Sequence, residues 1–304
     1  MLVQGGNHIM HEIDLFGNVL KLRSQHCIKN ESNKVYEVEQ PYANIYVRLR
    51  NKCNANCEFC EFRGDTESFN INKFETLISE IKNKVKINKI SFTGGEPTLN
   101  LNLLETVLKV TNEIDPNIFT VINTNGINLM KLIKVSKYLD SIALSRHHYI
   151  DEINNKILGF KAPSREDIKI FQNTISNKNL LHLSCNLIKG SIDKEEEILN
   201  YMEVASEMGV LDVGLVSLMK VNDFCKDHQV LFDSIEFKSD RILKNKEWKH
   251  KEFCRCANYL YMPKNEQNLV KFYGRYYCQT QNIESQLVFD GEHLKDGFNG
   301  KIIY

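Results

Sequence analysis

The amino-acid sequence predicts an α/β fold in which parallel strands are connected by helices. Strand-like and helix-like patterns alternate from about residue 44 to about residue 220, and they form six strand–helix units. Such alternation is typical of parallel sheets with helical crossovers, in either an open sheet or a partial barrel. Both architectures place functional groups at the carboxyl ends of the strands. We therefore look for functional residues where the predicted strands end.

The six predicted strands are short apolar runs that end in glycine or polar residues. They are residues 44–49, 89–93, 118–122, 141–144, 181–188 and 213–219. Between them, apolar residues recur at the spacing of one helix face, as do Leu77 and Ile81. A helix is also predicted over residues 129–138. Ser164 and Asp167 form a predicted capping box that starts a later helix.

The composition is that of a globular protein. The chain has 304 residues, of which 42% are apolar and 26% charged, and this argues against a wholly disordered protein. The 39 Lys and Arg residues equal the 39 Asp and Glu residues, so we expect no bulk binding of nucleic acid. No apolar run approaches the ~18 residues of a membrane span, and the N-terminus lacks a secretory signal. We expect a cytoplasmic protein that does not bind membranes.

Nine cysteines are many for a cytoplasmic chain of this length. An odd number in a reducing compartment points to metal binding rather than to disulfides. The first group follows a predicted strand and consists of Cys53, Cys57 and Cys60. The second group consists of Cys254, Cys256 and Cys278, with Cys225 as a further candidate. Cys27 and Cys185 stand alone, and we interpret them as ordinary buried thiols.

The spacing Cys53-Asn-Ala-Asn-Cys57-Glu-Phe-Cys60 allows one short loop to hold three corners of an iron–sulfur cubane. The fourth iron then has no protein ligand, whereas ferredoxin-type carriers use four cysteines to close the cluster. An open coordination site can bind a substrate, by the logic that separates catalytic from structural zinc sites. A zinc knuckle is the alternative interpretation of the same spacing.

A CxxxCxxC motif after the first strand of a β/α array resembles the signature of the radical S-adenosylmethionine (SAM) superfamily. The resemblance implies a partial (β/α)6 TIM-like barrel, and a [4Fe–4S] cluster whose open iron binds SAM. It also implies an oxygen-sensitive enzyme that cleaves SAM to a 5′-deoxyadenosyl radical. The electron would come from a low-potential donor such as flavodoxin or ferredoxin. Phe59 occupies the position of the aromatic residue that flanks the adenine in that family.

The ends of later predicted strands carry further motifs that resemble those of the same superfamily. Thr93-Gly94-Gly95-Glu96-Pro97 resembles the family's GGEP turn, where paired glycines let backbone carbonyl groups approach the ammonium group of SAM. Asn123-Thr124-Asn125-Gly126 resembles the TNG segment of the third strand, and Leu215-Val-Ser-Leu-Met219 resembles the sixth-strand segment of the molybdopterin GTP cyclases. The resemblance implies further SAM contacts at Ser145, Ser184, Asn186, Val216 and Leu218. For the two serines and the asparagine, the alternative is that they are ordinary polar residues at strand ends.

Three residues directly after the fourth predicted strand are catalytic candidates. They are Arg146, His147 and His148, which would lie at the carboxyl edge of the sheet. Their positive or protonatable side chains suit contact with an anionic substrate. Adjacent histidines on a loop are more commonly solvated, and this is the alternative interpretation.

The second cysteine group encloses a predicted hairpin formed by residues 259–262 and 269–277. This layout resembles the auxiliary-cluster region of twitch or SPASM-type radical enzymes, and it implies a second, auxiliary [4Fe–4S] cluster. Three cysteine ligands would leave an open iron, and Cys225 would close the cluster as a fourth. The Cys254-Arg-Cys256 spacing departs from the more usual CxxC. A structural zinc ion is the alternative.

These patterns predict a lead-in with a hairpin over residues 1–43, a radical SAM core over 44–224 and an auxiliary domain over 225–304. The predicted substrate is a small polar metabolite such as a nucleotide or sugar derivative. A ribosomally made precursor peptide is the alternative, although we expect residues 1–43 to be too few for a leader-binding domain. The chain ends Lys301-Ile-Ile-Tyr304 rather than in the GTP cyclases' Gly-Gly tail, so we do not assign it to them. A non-enzymatic iron–sulfur or zinc-binding module is the remote alternative.

Overall fold

The structure is a computed structural model that describes residues 10–29, 35–50, 52–61, 68–244, 258–265, 268–275, 286–298 and 300–304. Its strands are β1 (Met10–Leu15), β2 (Asn18–Lys29), β3 (Val35–Arg50), β4 (Lys86–Gly94), β5 (Phe119–Thr124), β6 (Ser141–Ser145), β7 (Leu181–Leu187), β8 (Asp212–Ser217), β9 (Ile242–Lys244), β10 (Asn258–Tyr261), β11 (Val270–Arg275), β12 (Gln286–Phe289) and β13 (Leu294–Lys295). Its α-helices are α1 (Ile71–Lys84), α2 (Leu101–Ile114), α3 (Asp151–Leu158), α4 (Arg165–Thr174), α5 (Glu195–Glu207) and α6 (Asp223–His228). Short 3₁₀ helices span Pro97–Asn100, Leu129–Tyr138 and Phe232–Ser234.

The strands β3 to β8 are neighbours in sequence order, and each pairs in parallel with the next. β12 adds a further parallel strand beside β3, and β11 adds one beside β8. Helical crossovers between successive parallel strands are the pattern of a (β/α) barrel. The predicted α/β class with a partial TIM-like barrel is therefore confirmed.

The first strand of the parallel sheet separates apolar from polar side chains by alternation. In β3, the fully buried residues are Ala43, Ile45, Val47 and Leu49. The residues between them, including Tyr46 and Arg48, are half-buried and face the other side of the sheet. The helices cover the apolar side, as in α1, where Phe74 packs against Phe92 of β4. Polar side chains are thus collected on the side away from the helices.

The helix boundaries follow from local hydrogen bonds that the sequence encodes. Asn70 is the N-cap residue of α1, and its side-chain oxygen accepts a hydrogen bond from Lys73 N at 3.0 Å. The predicted capping box of α4 is confirmed, because Ser164 Oγ accepts from Asp167 N and the Asp167 carboxylate accepts from Ser164 N. Within the described ranges, no helix is long and apolar enough to cross a membrane.

Two helical segments differ from the sequence-based expectation. The segment Leu129–Tyr138 is helical as predicted, but it is a 3₁₀ helix. Its i→i+3 hydrogen bonds, such as Leu139 N to Ser136 O, match its short path between β5 and β6. The helix α3 was not predicted, because its sequence DEINNKIL has few apolar residues to mark a face.

The chain ends also pair as strands. The N-terminal hairpin is confirmed, since β1 pairs with β2 around Phe16 and Gly17. The C-terminal hairpin is confirmed for the described residues, since β10 pairs antiparallel with β11 from Tyr261↔Val270. β11 and β12 extend the parallel sheet at its two edges, beside β8 and β3 respectively, and the sequence did not reveal this. The division of the chain into three domains stays a prediction.

Candidate active site

The candidate site is built around residues 52–60, which we call the cysteine loop. The loop follows β3, so it lies at the edge where the parallel strands end. Cys53, Cys57 and Cys60 are partly exposed free thiols. Cys60 N donates to Cys57 O at 3.2 Å, which closes a tight turn between the second and third cysteines.

Glu96 joins the turns after β4 and β5 to the start of the cysteine loop. Its backbone N–H donates to Lys52 O at 3.0 Å. Its carboxylate accepts from Thr124 Oγ1 at 2.7 Å and from Asn125 N at 2.7 Å. Thr98 donates to the same carboxylate from its hydroxyl at 2.6 Å and from its N–H at 3.0 Å. The buried Glu96 carboxylate thus joins the turns after β4 and β5, and the Glu96 backbone N–H joins them to the cysteine loop.

The Glu96 side chain is buried and hydrogen-bonded within the protein, so it positions the turns around it. Burial raises the pKa of its carboxyl group, and the donated hydrogen bonds from Thr98, Asn125 and Thr124 oppose that rise. Both carboxylate oxygens are bonded within the protein, so Glu96 holds the Gly94-Gly95 turn in place. The other predicted SAM contacts of this turn are half-buried at the sheet edge, and they are Thr93, Gly94 and Gly95.

Asn125 contacts the cysteine loop directly. Its side-chain amide donates to Asn54 Oδ1 at 2.9 Å and to Cys53 Sγ at 3.7 Å. Burial raises the pKa of Cys53, whereas the hydrogen bonds from Ala55 N–H and Asn125 lower it. The TNG segment therefore supports the first thiol as well as the turn.

The end of α3 packs against the middle of the cysteine loop. Leu158 O accepts hydrogen bonds from Asn56 N at 2.9 Å and from Cys57 Sγ at 3.8 Å. Gly159 ends the helix with a φ of +71°, and an added Cβ would lie 3.1 Å from Asn56 Cβ. Sequence reasoning missed this support, whose only sequence signal is a glycine after a short polar helix.

The catalytic candidate Arg146 is 2% exposed and is occupied by protein contacts. Its backbone N–H donates to Ser184 O at 3.0 Å. Its guanidinium group donates to Tyr149 O at 3.1 Å and to Pro163 O at 3.3 Å, and it forms an ion pair with Asp151. The arrangement ties the end of β6 to β7, to the start of α3 and to the segment before α4, so Arg146 organises the edge of the site.

The two adjacent histidines are buried, so the alternative interpretation of a solvated pair was wrong. His147 is 4% exposed and His148 is 5% exposed. Burial lowers the pKa of His147 to about 3, and its Nδ1 accepts a hydrogen bond from Asn186 N at 3.0 Å. Its neutral ring meets the ring of Phe59 edge-on at 4.9 Å. Burial also lowers the pKa of His148, whose Nδ1 accepts from Ile150 N.

Four predicted SAM contacts lie at the ends of β6, β7 and β8, where they form two pairs across neighbouring strands. Ser145 pairs with Ser184, and Asn186 pairs with Val216. All four side chains are half-buried, as the strand alternation requires for the side away from the helices. The fifth candidate, Leu218, lies just beyond β8 and is 5% exposed.

Leu218 belongs to a small apolar cluster beside the cysteine loop. It is buried there together with Ile188 and Cys225, and Phe59 packs against them. Burial raises the pKa of Cys225, whose Sγ donates to Phe59 O at 3.5 Å. The structure thus places Cys225 next to the first cysteine group. The remaining cysteines of the second group lie outside the described residues, and they are Cys254, Cys256 and Cys278.

The cysteine loop fits an iron–sulfur cluster by the chemistry of its donors. Within the described ranges, no three side chains of His, Cys, Asp or Glu are grouped so that they could hold a metal ion. A cubane binds each cysteine at a different iron, so its ligands need not meet at one point. Cys53, Cys57 and Cys60 are soft thiol donors on one partly exposed loop, which is the ligand type that such clusters take.

Comparison with known proteins gives a family match and several relatives. A family profile described as the radical SAM superfamily matches residues 47–203. Probable GTP 3′,8-cyclases of Saccharolobus islandicus and Saccharolobus solfataricus are each 29% identical over 190 residues, or 60% of this chain and 59% of theirs. A probable GTP 3′,8-cyclase of Thermoplasma volcanium is 32% identical over 130 residues, or 41% of this chain and 39% of its own. The chain thus spans 59% or less of the length of these relatives.

Solved structures share the fold. The Streptococcus suis protein SuiB bound to S-adenosylmethionine superposes with a TM-score of 0.52 at 19% identity, covering 64% of this chain and 44% of SuiB. SuiB bound to its precursor peptide SuiA gives a TM-score of 0.51 at 19% identity, covering 60% of this chain and 41% of SuiB. At this identity the likeness shows the fold alone.

Proposed function

This chain belongs to the radical SAM superfamily, and from that premise we propose that it cleaves SAM and abstracts a hydrogen atom from a small polar substrate. When bound, the [4Fe–4S] cluster supplies one electron to the sulfonium of SAM, which yields methionine and a 5′-deoxyadenosyl radical. The single observation that carries the proposal is the position of Glu96. Its hydrogen bonds assemble the cysteine loop, the Gly-Gly turn and the TNG turn at one edge of the sheet.

The proposed roles are those that the family resemblance implies for residues at this edge of the sheet. Cys53, Cys57 and Cys60 hold the cluster, and the backbone carbonyl groups of Gly94 and Gly95 accept hydrogen bonds from the ammonium group of SAM. Phe59 flanks the adenine ring. The polar side chains at the ends of β6 and β7 accept or donate hydrogen bonds to the ribose and the carboxylate of SAM, and they are Ser145, Ser184 and Asn186.

The side of the sheet away from the helices carries cationic side chains, and these suit an anionic polar substrate. Arg48 and Lys89 belong to β3 and β4, and both are half-buried on that side. Lys89 Nζ lies 5.7 Å from the centre of the Tyr46 ring, and the Arg48 guanidinium lies 5.8 Å from the centre of the Phe298 ring. Cationic groups beside aromatic rings suit a phosphorylated nucleoside. The names of the curated relatives point to the same substrate class.

A precursor peptide remains the alternative substrate, and a fold neighbour is known with a precursor peptide bound. We further propose that residues 225–304 form an auxiliary domain in which Cys254, Cys256 and Cys278 hold a second [4Fe–4S] cluster. Residues 44–224 are then the radical SAM core, preceded by the lead-in of residues 1–43. We also propose that the electron comes from a low-potential donor such as flavodoxin or ferredoxin, that the enzyme works in the cytoplasm, and that its incompletely ligated cluster would make it sensitive to oxygen.

The decisive experiment is anaerobic. The reconstituted protein is mixed with dithionite and SAM, and 5′-deoxyadenosine is measured by liquid chromatography and mass spectrometry. We expect turnover in the wild type and none above background in Cys53→Ala. The matched control is Cys185→Ala, which removes a buried thiol of β7 that is not part of the cysteine loop, and it should keep turnover. Wild-type protein that forms no 5′-deoxyadenosine contradicts the proposal.

The substrate class and the second cluster are tested separately. We expect GTP, used as a probe nucleotide, to raise 5′-deoxyadenosine formation above the uncoupled rate. Peptides encoded by neighbouring genes, tested at the same concentration, should not. Iron content should be about eight atoms per chain with two clusters and about four with one. Stimulation by a peptide alone replaces the nucleotide proposal with its alternative.

A further inference from the structure

The first turn of α6 contacts the cysteine loop directly before its third cysteine. Asn222 Nδ2 donates to Glu58 O at 3.0 Å. Cys225 Sγ donates to Phe59 O at 3.5 Å, and this thiol is 1% exposed. The two acceptors are carbonyl groups of successive residues, and Cys60 follows them. A helix more than 160 residues further along the chain thus holds the backbone beside a cluster ligand.

We propose that Asn222 and Cys225 form a clasp that positions Phe59 and Cys60 for SAM binding. The proposal rests on the proposed function, and it assigns Cys225 to the cysteine loop rather than to the auxiliary cluster. The contacts described above from Glu96, Asn125 and the end of α3 reach loop residues 52–57. The clasp reaches residues 58 and 59, and so it supports the part of the loop that those contacts do not.

Asn222 performs two tasks that require the two ends of its amide group. Its Oδ1 accepts a hydrogen bond from Cys225 N at 2.9 Å and thereby starts α6. Its Nδ2 is the donor to Glu58 O. An aspartate at this position could still start the helix, but it would present an acceptor to another acceptor. The cap and the clasp can therefore be separated by one substitution.

The Phe59 side chain is held from two directions. On one side it packs against the buried cluster of Ile188, Leu218 and Cys225. On another, the ring of His147 meets it edge-on with centroids 4.9 Å apart. An aromatic ring fixed in this way offers a preorganised surface to a flat heteroaromatic group, because little side-chain freedom remains to be lost on binding. We infer that the clasp lowers the cost of binding the adenosyl part of SAM.

The first test uses the apo-protein and needs no cluster. Native protein is alkylated with N-ethylmaleimide, and the modification rates of Cys60 and Cys225 are followed by peptide mass spectrometry. We expect Asn222→Asp to raise both rates roughly three- to tenfold, the value of one lost hydrogen bond. The matched control is Asp223→Asn on the same helix, whose side chain is 92% exposed and whose alkylation rates should equal those of the wild type.

The second test uses the reconstituted enzyme and compares Cys225→Ser with Cys225→Val. Serine keeps a hydroxyl donor, whereas valine fills the space without a donor. We expect Cys225→Val and Asn222→Asp to raise the KM for SAM roughly three- to tenfold with little change in kcat. Cys225→Ser should stay near the wild type. The change that SAM causes in the electron paramagnetic resonance spectrum of the reduced cluster should weaken in Cys225→Val.

Three results would overturn the clasp. They are wild-type alkylation of Cys60 in Asn222→Asp, equal KM values for Cys225→Ser and Cys225→Val, and a loss of about four irons per chain in Cys225→Val, which would mark an auxiliary-cluster ligand. A wild type that forms no 5′-deoxyadenosine would refute the proposed function instead. In that case the alkylation rates still decide whether α6 holds the loop.

Discussion

Two parts of the same sheet edge are fixed by different interactions. The turns after β4 and β5 are joined by one buried carboxylate, Glu96, which accepts hydrogen bonds from Thr98, Thr124 and Asn125. Among the described contacts no buried carboxylate does this at the ends of β7 and β8, where separate hydrogen bonds, such as that from Asn186 N to His147 Nδ1, accompany the apolar packing of Ile188 and Leu218. A polar network depends on individual atoms, so it leaves a recognisable motif. Apolar packing depends on shape and volume, which many residues can satisfy.

The largest expected effect tests the polar part. Glu96→Ala removes the acceptor from several buried donors, so the free energy of unfolding of the apo-protein should fall by about 3 to 5 kcal/mol. Urea denaturation measures this, and 5′-deoxyadenosine formation should be lost. Glu96→Gln, which keeps one carbonyl oxygen, should be intermediate. A loss below about 0.5 kcal/mol for Glu96→Ala would show that this turn does not depend on its carboxylate.

The next effect tests the apolar part. Leu218→Ala should cost about 2 to 3 kcal/mol of unfolding free energy, at the low end of such truncations because the cluster is small and can relax. Urea denaturation under the same conditions gives the value. If Leu218→Ala lowers the free energy of unfolding as much as Glu96→Ala does, the proposed contrast between one central carboxylate and many small apolar contacts is wrong.

The pH dependence of stability tests His147, which contacts Asn186 at the end of β7 and Phe59 of the cysteine loop. Its pKa is lowered to about 3 by burial, so the unfolded state takes up the proton first as the pH falls below about 6.5. Stability should therefore decrease by about 1.4 kcal/mol per pH unit between pH 6 and pH 4 on account of this residue.

Urea denaturation at several pH values checks this expectation. His147→Gln should lose less stability on acidification than the wild type does. The control is His293→Gln, at a histidine with a partly exposed side chain away from Phe59. Parallel pH profiles for the wild type and His147→Gln would contradict a buried neutral histidine.

The smallest effect compares two glycines with similar backbone angles. Gly159 and Gly190 have φ values of +71° and +81°, so alanine costs about 1 kcal/mol at each. A Cβ at Gly159 would also press on Asn56 of the cysteine loop, whereas one at Gly190 meets nothing within 4 Å. Gly159→Ala should therefore lose about 1 kcal/mol more in urea denaturation. It should also lose iron faster to a chelator, and equal rates for both variants would exclude pressure on the loop.

Particular elements show how far the sequence could be interpreted. The six parallel strands β3 to β8, the capping box of α4 and both hairpins were predicted, because each depends on residues close together in sequence. The strands β9, β12 and β13 were not predicted. The burial of His147 and His148 was not, because it depends on how α3 and β7 pack around them. The contacts of Leu158 with the cysteine loop were also missed, since a backbone carbonyl group leaves no mark in the sequence.

The sequence by itself determined the superfamily, the α/β class and the residues of the cysteine loop, the Gly-Gly turn and the TNG turn. These depend on residue types at fixed spacings, which local backbone geometry and ligand chemistry demand. Only the tertiary structure decided that Glu96 serves as a support, that Arg146 is occupied by Asp151 and that Cys225 lies against Phe59. Such contacts join segments far apart in the chain, and their geometry is set by the packing of the whole sheet rather than by any local pattern.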